Sequence, residues 1–186
     1  MNFDFSDEQK QMRDEARKFL TEKCPPKAVR EVLDGKATHD KALWKGRAER
    51  GFLGAAIPEA FGGAGAGHLE LCVIAEEMGR ANAPVPFSST VYLAAEALML
   101  AGSDAQKQKW LPKIASGEAI GTLALFEGSG NPSAKAIKLQ ASGGTLNGVK
   151  KPVLDGAIAD FAVVAARTGS TGRDSDISLF LVDLKA

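Results

Sequence analysis

The chain has 186 residues, 45% hydrophobic and 25% charged, which is typical of a globular protein and excludes a disordered or fibrous one. Its 23 lysine and arginine residues balance 23 aspartate and glutamate residues, so charge gives no reason to expect nucleic acid or an anionic membrane as a partner. The longest strongly apolar stretch, residues 91–101, is too short to span a bilayer. Acidic residues near the start argue against a signal peptide, and we expect a cytoplasmic protein.

Helical periodicity runs through the first 118 residues. Ser6 with Gln9 and Ser103 with Gln106 predict two capping boxes, and the first helix is expected to end at Pro25-Pro26. The segment at residues 87–101 is almost wholly apolar, which predicts its burial against several neighbours. Beyond the first helix, the predicted helices cover residues 40–50, 69–79, 87–101 and 103–117.

The hydrophobic period changes to two after Gly117. Asn147-Gly148 predicts a hairpin turn. Helices followed by strands predict an α+β protein, with an all-α domain at residues 1–118 and a β domain at residues 119–186. Because the last strand would leave open edges, we expect an incomplete barrel-like or sandwich domain and a truncated chain. About five or six strands are expected, including residues 120–126, 161–166 and 177–182.

Composition and spacing alone indicate no catalytic motif. The glycine-rich run at residues 62–67 lacks the preceding strand and the spacing of a dinucleotide-binding loop, so we expect a flexible turn. Gly128-Ser129-Gly130 lacks the outer glycines of a nucleophile elbow. His39 and His68 are both expected at the protein surface, which leaves no base for such a serine.

The residues also indicate no metal site. Cys24 and Cys72 have neither zinc-ligand nor disulfide spacing, so both are expected to be reduced thiols. The adjacent acids Glu76 and Glu77 are expected on a solvated helix face.

Several stretches, in order along the chain, resemble the acyl-CoA dehydrogenase family. The most specific is residues 102–113, which read GSDAQKQKWLPK. The resemblance implies a helical domain, a middle β domain and a C-terminal helical bundle that is absent from this chain. The other matching stretches are residues 5–10, 51–54, 57–63, 75–77, 116–118, 124–127, 146–150 and 159–161.

In this family FAD lies between the β domain and the C-terminal bundle. A glutamate removes the α proton of an acyl-CoA while a β hydride passes to the flavin, and that glutamate usually comes from the bundle. The resemblance matches no residue of this chain to it. We therefore expect no catalytic residue here and no activity from this chain alone.

The resemblance also identifies flavin-facing positions. They are Leu125, Phe126, Asn131 and Pro132 in one loop and Pro152, Val153 and Leu154 in a second segment.

Aligned without a gap, residues 126–133 replace the family's T-E-P-x-A-G-S-D and residues 152–154 replace its W-I-T. Hydroxyl groups are then lost at Phe126, Pro132 and Leu154, and the aromatic plate is lost at Pro152. Both prolines also lack an N–H donor. A gapped alignment instead places Gly128-Ser129-Gly130 on the family's glycine–serine pair.

Three hypotheses follow from the resemblance. The first is an FAD-dependent dehydrogenase of acyl-CoA thioesters, active as a full-length oligomer, in which the helix at residues 87–101 lines the acyl pocket and Ser89 and Leu93 face the acyl chain. The second is a flavin-free structural subunit that forms a hetero-oligomer with a sister dehydrogenase. The third is an acyl-CoA binding module without redox chemistry.

Overall fold

A computed structural model describes residues 4–185 and confirms the predicted α+β class. The described residues form two compact units, residues 4–87 with 108–118 and residues 88–107 with 119–185. The domain boundary at residue 118 stays a prediction, because these units assign residues 88–107 to the same body as the strands. The α-helices are α1 (Asp7–Lys23), α2 (Pro26–Leu33), α3 (Lys41–Ala48), α4 (His68–Arg80), α5 (Glu96–Ala101) and α6 (Asp104–Ala115).

Local sequence determines where α1 begins and ends. The Ser6 hydroxyl accepts a hydrogen bond from the Gln9 N–H at 3.2 Å, and the Gln9 side chain accepts one from the Ser6 N–H at 3.0 Å, so the predicted capping box is confirmed. Pro25-Pro26 ends α1 as expected. The pair also begins α2, which was not predicted, because Pro26 occupies the first helical position, where a missing N–H costs nothing.

The expectation that Glu77 lies on a solvated helix face is wrong. Its side chain is fully buried between α1 and α4, whereas Glu76 is exposed. The Glu77 carboxylate accepts hydrogen bonds from Arg17 at 2.5 and 3.0 Å and from Arg80 at 2.9 Å. The bond from Arg17 lowers the pKa of Glu77, burial raises it, and the bond from Arg80 adds to a net lowering.

The expectation that His39 lies at the surface is also wrong. The side chain is 9% exposed, and its Nδ1 lies 3.2 Å from the Thr38 hydroxyl. The next residue, Asp40, holds the chain in place beside His39 through two hydrogen bonds. The Asp40 N–H donates to the Pro84 carbonyl at 2.9 Å, and the Asp40 side chain caps α3 by accepting from the Leu43 N–H.

The second unit combines a helix with a small sheet. Residues Ser88–Ala95 form a π-helix that continues into α5, whereas an ordinary helix had been predicted over residues 87–101. The expected burial is incomplete, since Leu93 is 36% and Leu100 77% exposed. The strands are β1 (Gly121–Ala124), β2 (Ala141–Ser142), β3 (Thr145–Leu146), β4 (Phe161–Arg167) and β5 (Ile177–Asp183).

Strand β4 is the centre of a three-stranded sheet. It pairs in parallel with β1 and antiparallel with β5. The π-helix packs directly on β1, and a Cβ at Gly121 would lie 2.5 Å from the Phe161 ring and 2.7 Å from the Ala94 Cβ. Only glycine allows this approach. No helix among residues 4–185 is long and apolar enough to cross a membrane.

The predicted hairpin turn at Asn147-Gly148 is wrong. Strands β2 and β3 pair around Gly143-Gly144, where both residues have positive φ angles of 57° and 77°. A tight turn of this kind requires positive φ at both central residues, which glycine adopts without steric cost. Gly148 follows β3 and packs close to the Leu139 side chain.

Replacing Glu77 with glutamine should lower the free energy of unfolding by about 2 kcal/mol at neutral pH, because the neutral amide keeps one acceptor oxygen and weakens or loses the three charge-assisted hydrogen bonds from Arg17 and Arg80. The pKa of Glu77 is lowered in the folded protein. The stabilisation is therefore complete above the ordinary pKa and is lost as pH falls through the folded value, below about pH 4. Urea denaturation from pH 7 to pH 3 measures this difference.

Glu76→Gln is the matched control, because the neighbouring side chain is exposed. Its free energy of unfolding should stay within about 0.5 kcal/mol of the wild-type value. Equal effects of the two substitutions would contradict the assigned role of Glu77.

Candidate functional site

A cavity of about 270 Å³ lies beyond the carboxyl end of β1. Four of the predicted flavin-facing residues, Leu125, Phe126, Asn131 and Pro132, come together in its wall. The remaining lining residues are Glu127–Gly130 and Ala136–Lys138. We call residues 125–138 the β1 loop.

The β1 loop is held closed by the carboxylate of Glu127. This group accepts hydrogen bonds from the backbone N–H groups of Lys138 at 2.8 Å and Leu139 at 3.0 Å. Lys150 forms an ion pair with it at 2.6 Å and also donates to the Leu125 carbonyl at 3.2 Å. One carboxylate therefore joins the beginning of the loop, its end and the segment that follows β3.

The electrostatics of this ion pair follow from its burial. The side chains of Glu127 and Lys150 are 14% and 7% exposed. Burial by itself raises the pKa of Glu127, but the hydrogen bonds from Lys150, Leu139 and Lys138 outweigh it and lower the pKa below its ordinary value. The carboxylate therefore stays charged at neutral pH and keeps its donors in place.

Backbone pairing places the second flavin-facing segment beside the first. The Gly128 N–H donates to the Lys151 carbonyl at 2.8 Å, and the Lys151 N–H donates to the Phe126 carbonyl at 2.8 Å. Pro152, Val153 and Leu154 follow immediately. Both predicted groups thus meet at one edge of the sheet, although these last three residues do not line the cavity.

The middle of the β1 loop offers backbone donors. Gly128 and Gly130 have φ angles of 140° and 116°, a region open mainly to glycine. Within residues 4–185, the backbone N–H groups of Ser129, Gly130 and Asn131 donate to no other group. Ser129, Gly130 and Asn131 line the cavity and are exposed to solvent, so their N–H groups are available to acceptor atoms of a ligand.

The residues predicted to face the acyl chain lie on the π-helix. Ser89 is fully buried, and its hydroxyl donates to the Asp155 carboxylate at 2.7 Å. Leu93 is 36% exposed. The segment containing Leu154 is tied to β1 as well, because the Thr122 hydroxyl donates to the Leu154 carbonyl at 2.6 Å.

Sequence reasoning did not select Glu127, Lys150, Thr122 or Asp155 as site residues. Glu127 and Lys150 belong to stretches that resemble the family, and this resemblance could have identified them. No sequence signal identifies Thr122 or Asp155, because their roles depend on partners 32 and 66 residues away. Among the described residues no group of three or more histidine, cysteine, aspartate or glutamate side chains could hold a metal ion.

Known proteins resemble this chain in both sequence and structure. Residues 6–118 match the acyl-CoA dehydrogenase N-terminal domain. Mitochondrial isovaleryl-CoA dehydrogenase of Solanum tuberosum is 34% identical over 185 residues, which cover 96% of this chain and 45% of that protein.

Two solved structures show the same fold. The ChsE4–ChsE5 complex from Mycobacterium tuberculosis superposes with a TM-score of 0.83 at 30% identity, over 98% of this chain and 49% of the other. A glutaryl-coenzyme A dehydrogenase in complex with glutaryl-CoA superposes with a TM-score of 0.86 at 27% identity, over 100% and 49%. The chain thus spans about half the length of the relatives it matches. Because residues 6–118, more than half of the chain, match the family's N-terminal domain, this chain belongs to the acyl-CoA dehydrogenase family.

Proposed function

We propose that this chain forms the helical domain and two flavin-facing segments of an FAD-dependent dehydrogenase that desaturates an acyl-CoA thioester. One observation carries the proposal: the two segments that the resemblance assigns to the flavin meet at the carboxyl end of β1, joined by the Phe126–Lys151 backbone pair. We propose a cytoplasmic, oligomeric enzyme of fatty acid β-oxidation.

The residues at this edge fit FAD through their backbone. The free N–H groups of Ser129, Gly130 and Asn131 would donate to acceptor atoms of the cofactor, and the Glu127–Lys150 ion pair would hold the loop that carries them. When bound, FAD supplies the hydride acceptor for the reaction. Leu93 would contact the acyl chain from the π-helix.

This chain does not supply every group that the reaction needs. A base must reach the α carbon of the thioester, and hydrogen-bond donors must stabilise the charge that develops on the thioester oxygen. The resemblance matches none of these 186 residues to the base. We therefore propose that residues 1–186 alone do not turn over substrate.

The visible spectrum of the full-length protein tests this function. As purified, or after addition of excess FAD, the protein should show a bound-flavin spectrum and reduce an artificial electron acceptor with at least one acyl-CoA from a panel of chain lengths. Residues 1–186 measured alongside should show no turnover. A flavin-bound, full-length protein that fails with every acyl-CoA would contradict desaturation as the function.

The Glu127–Lys150 pair provides a test of the flavin site itself. Lys150→Met leaves a buried carboxylate without its counter-ion, which should destabilise the protein by about 2–4 kcal/mol and loosen the β1 loop. FAD affinity of the full-length protein should then fall at least about tenfold, since 1.4 kcal/mol corresponds to that factor. Flavin titration and protease cleavage within residues 125–138 measure the two effects.

Lys151→Met serves as the matched control, because Lys151 is adjacent and exposed. It should leave both FAD affinity and loop cleavage unchanged. An equal loss of affinity in the control would show that positive charge near the loop matters, and not the ion pair.

A structural partner subunit is the second candidate, and the substitutions at the site favour it. Phe126, Pro132, Pro152 and Leu154 stand where the ungapped alignment expects two threonines, a serine and a tryptophan. Each lost hydrogen bond costs about 1–3 kcal/mol, or about 5- to 150-fold in affinity. The ChsE4–ChsE5 complex superposes on this chain and contains two differently named proteins.

Co-expression with a sister dehydrogenase that has intact T-E-P and W-I-T motifs distinguishes the two functions. A structural subunit should co-purify with the sister, and the complex should carry flavin only in the sister's sites. Full flavin occupancy in the homo-oligomer would rule this second function out. Tight acyl-CoA binding by the unpartnered, flavin-free protein would instead indicate a binding module.

A further inference from the structure

The segment that the resemblance assigns to the flavin ends in an unusual backbone conformation at Asp155. Its φ angle is +54°, and Asn82 is the only other non-glycine residue among residues 4–185 with a positive φ. Aspartate tolerates this region better than most residues, but it still needs local support. The Asp155 carbonyl accepts from the N–H groups of Ile158 at 3.0 Å and Ala159 at 3.1 Å, which closes the turn.

Two side chains from two different elements hold this turn at consecutive residues. Thr122 on β1 donates to the Leu154 carbonyl at 2.6 Å. Ser89 on the π-helix donates to the Asp155 carboxylate at 2.7 Å. The Thr122 and Ser89 side chains are both fully buried, which shields the donor of each bond from water.

The bond from Ser89 is one of several contacts that attach the π-helix to the sheet. The next residue, Thr90, also does so, because its hydroxyl lies 3.2 Å from both the N–H and the carbonyl of Gly121. The close approach of Gly121 to Ala94 adds packing at the same place. What Ser89 adds is a connection from the helix to the turn that follows Leu154.

We infer that the Ser89–Asp155 hydrogen bond sets the position of residues 152–154 relative to the π-helix, so that Ser89 is a positioning residue and not a contact for the acyl chain. The inference deepens the proposed function and rests on it. In that function the π-helix faces the acyl chain and residues 152–154 face the flavin. The bond therefore fixes the distance between the two surfaces across which a hydride must pass, and hydride transfer is sensitive to such distances.

The first test is amide hydrogen exchange of the full-length protein without added flavin. Ser89→Ala should speed exchange at residues 155–159 about 5- to 10-fold, the effect of losing one hydrogen bond. Asp155→Ala should speed it at least as much, because alanine also adopts the positive φ of this position less readily than aspartate does. The double variant should be no faster than Asp155→Ala, because both substitutions remove the same bond. Asp155→Asn keeps an acceptor oxygen and should restore slow exchange.

Thr90→Val is the matched control. It removes a buried hydroxyl from the same helix but none that contacts residues 152–155, so exchange should rise at residues 88–95 and 121–124 and stay slow at 155–159. Unchanged exchange at 155–159 in Ser89→Ala would overturn the inference, whether or not flavin binds. Equal exchange in Ser89→Ala and Thr90→Val would overturn it too, by reducing the bond to general anchoring.

Steady-state kinetics of the flavin-bound enzyme provide a second readout. Ser89→Ala should lower kcat about tenfold and leave KM within about twofold, as expected when the geometry of the reacting groups changes but binding does not. A raised KM with unchanged kcat would make Ser89 a substrate contact and overturn the inference. If the wild-type protein binds no flavin but Ser89→Ala still speeds exchange at residues 155–159, the proposed function would be overturned. The connection between the π-helix and the turn would then stand without it.

Discussion

The carboxylate of Glu127 is the group on which the candidate site depends. Two later segments meet at it and contribute three donors: the backbone N–H groups of Lys138 and Leu139, and the ammonium of Lys150. The carboxylate is 14% exposed and so largely shielded from water, and losing any of these donors would cost free energy. The three bonds therefore hold the two ends of the β1 loop together although the loop has almost no regular secondary structure.

The connection between β1 and β4 packs on the sheet of the second unit. Strand β1 pairs in parallel with the central strand β4, and a parallel pair needs a long connection between its strands. The β1 loop, the β2–β3 hairpin and residues 147–160 make up that connection, and they fold back over one face of the sheet. Their apolar side chains cover β4, with Leu139, Leu146 and Val153 packed against Ala162, Val164 and Ala166.

Arg167, paired with Asp176, also holds the β1 loop against the sheet. Arg167 at the end of β4 donates to the carbonyls of Ala134 and Ile137 and pairs with Asp176 at 3.2 Å. Burial raises the pKa of Asp176, but hydrogen bonds led by that from the Thr171 hydroxyl lower it overall. Arg167 on β4 thus holds residues 134–137 of the β1 loop, while Glu127 joins the beginning of the loop to its end.

Sequence was most informative where structure depends on near neighbours. The capping boxes at Ser6 and Ser103 have partners three residues away, and both form. The strands at β1, β4 and β5 also lie where period two predicted them. By contrast, the burial of Glu77 depends on Arg17, 60 residues distant, and the hairpin turn depended on choosing between two plausible turn pairs. Local spacing determines neither the burial of Glu77 nor the position of the hairpin turn.

The candidate site divides in the same way. Family resemblance predicted Leu125, Phe126, Asn131 and Pro132, which do line one cavity. It also predicted Ser89 as a residue facing the acyl chain, but alignment of residue types does not reveal that its hydroxyl is bound to Asp155. A partner 66 residues away becomes visible only when the fold brings the π-helix against the turn after Leu154.

The two proposed functions differ in which atoms recognise the flavin. In the ungapped alignment, side-chain recognition would lose hydroxyl groups at Phe126, Pro132 and Leu154 and an aromatic ring at Pro152. Backbone recognition does not depend on residue type, and the N–H groups of residues 129–131 remain available in a loop whose shape Glu127 fixes. Donors on a loop whose ends are already joined need less ordering on binding, which lowers the entropic cost of association. An active enzyme therefore requires that this preorganised loop replace the lost hydroxyls, whereas a structural subunit needs the same loop only to keep its fold.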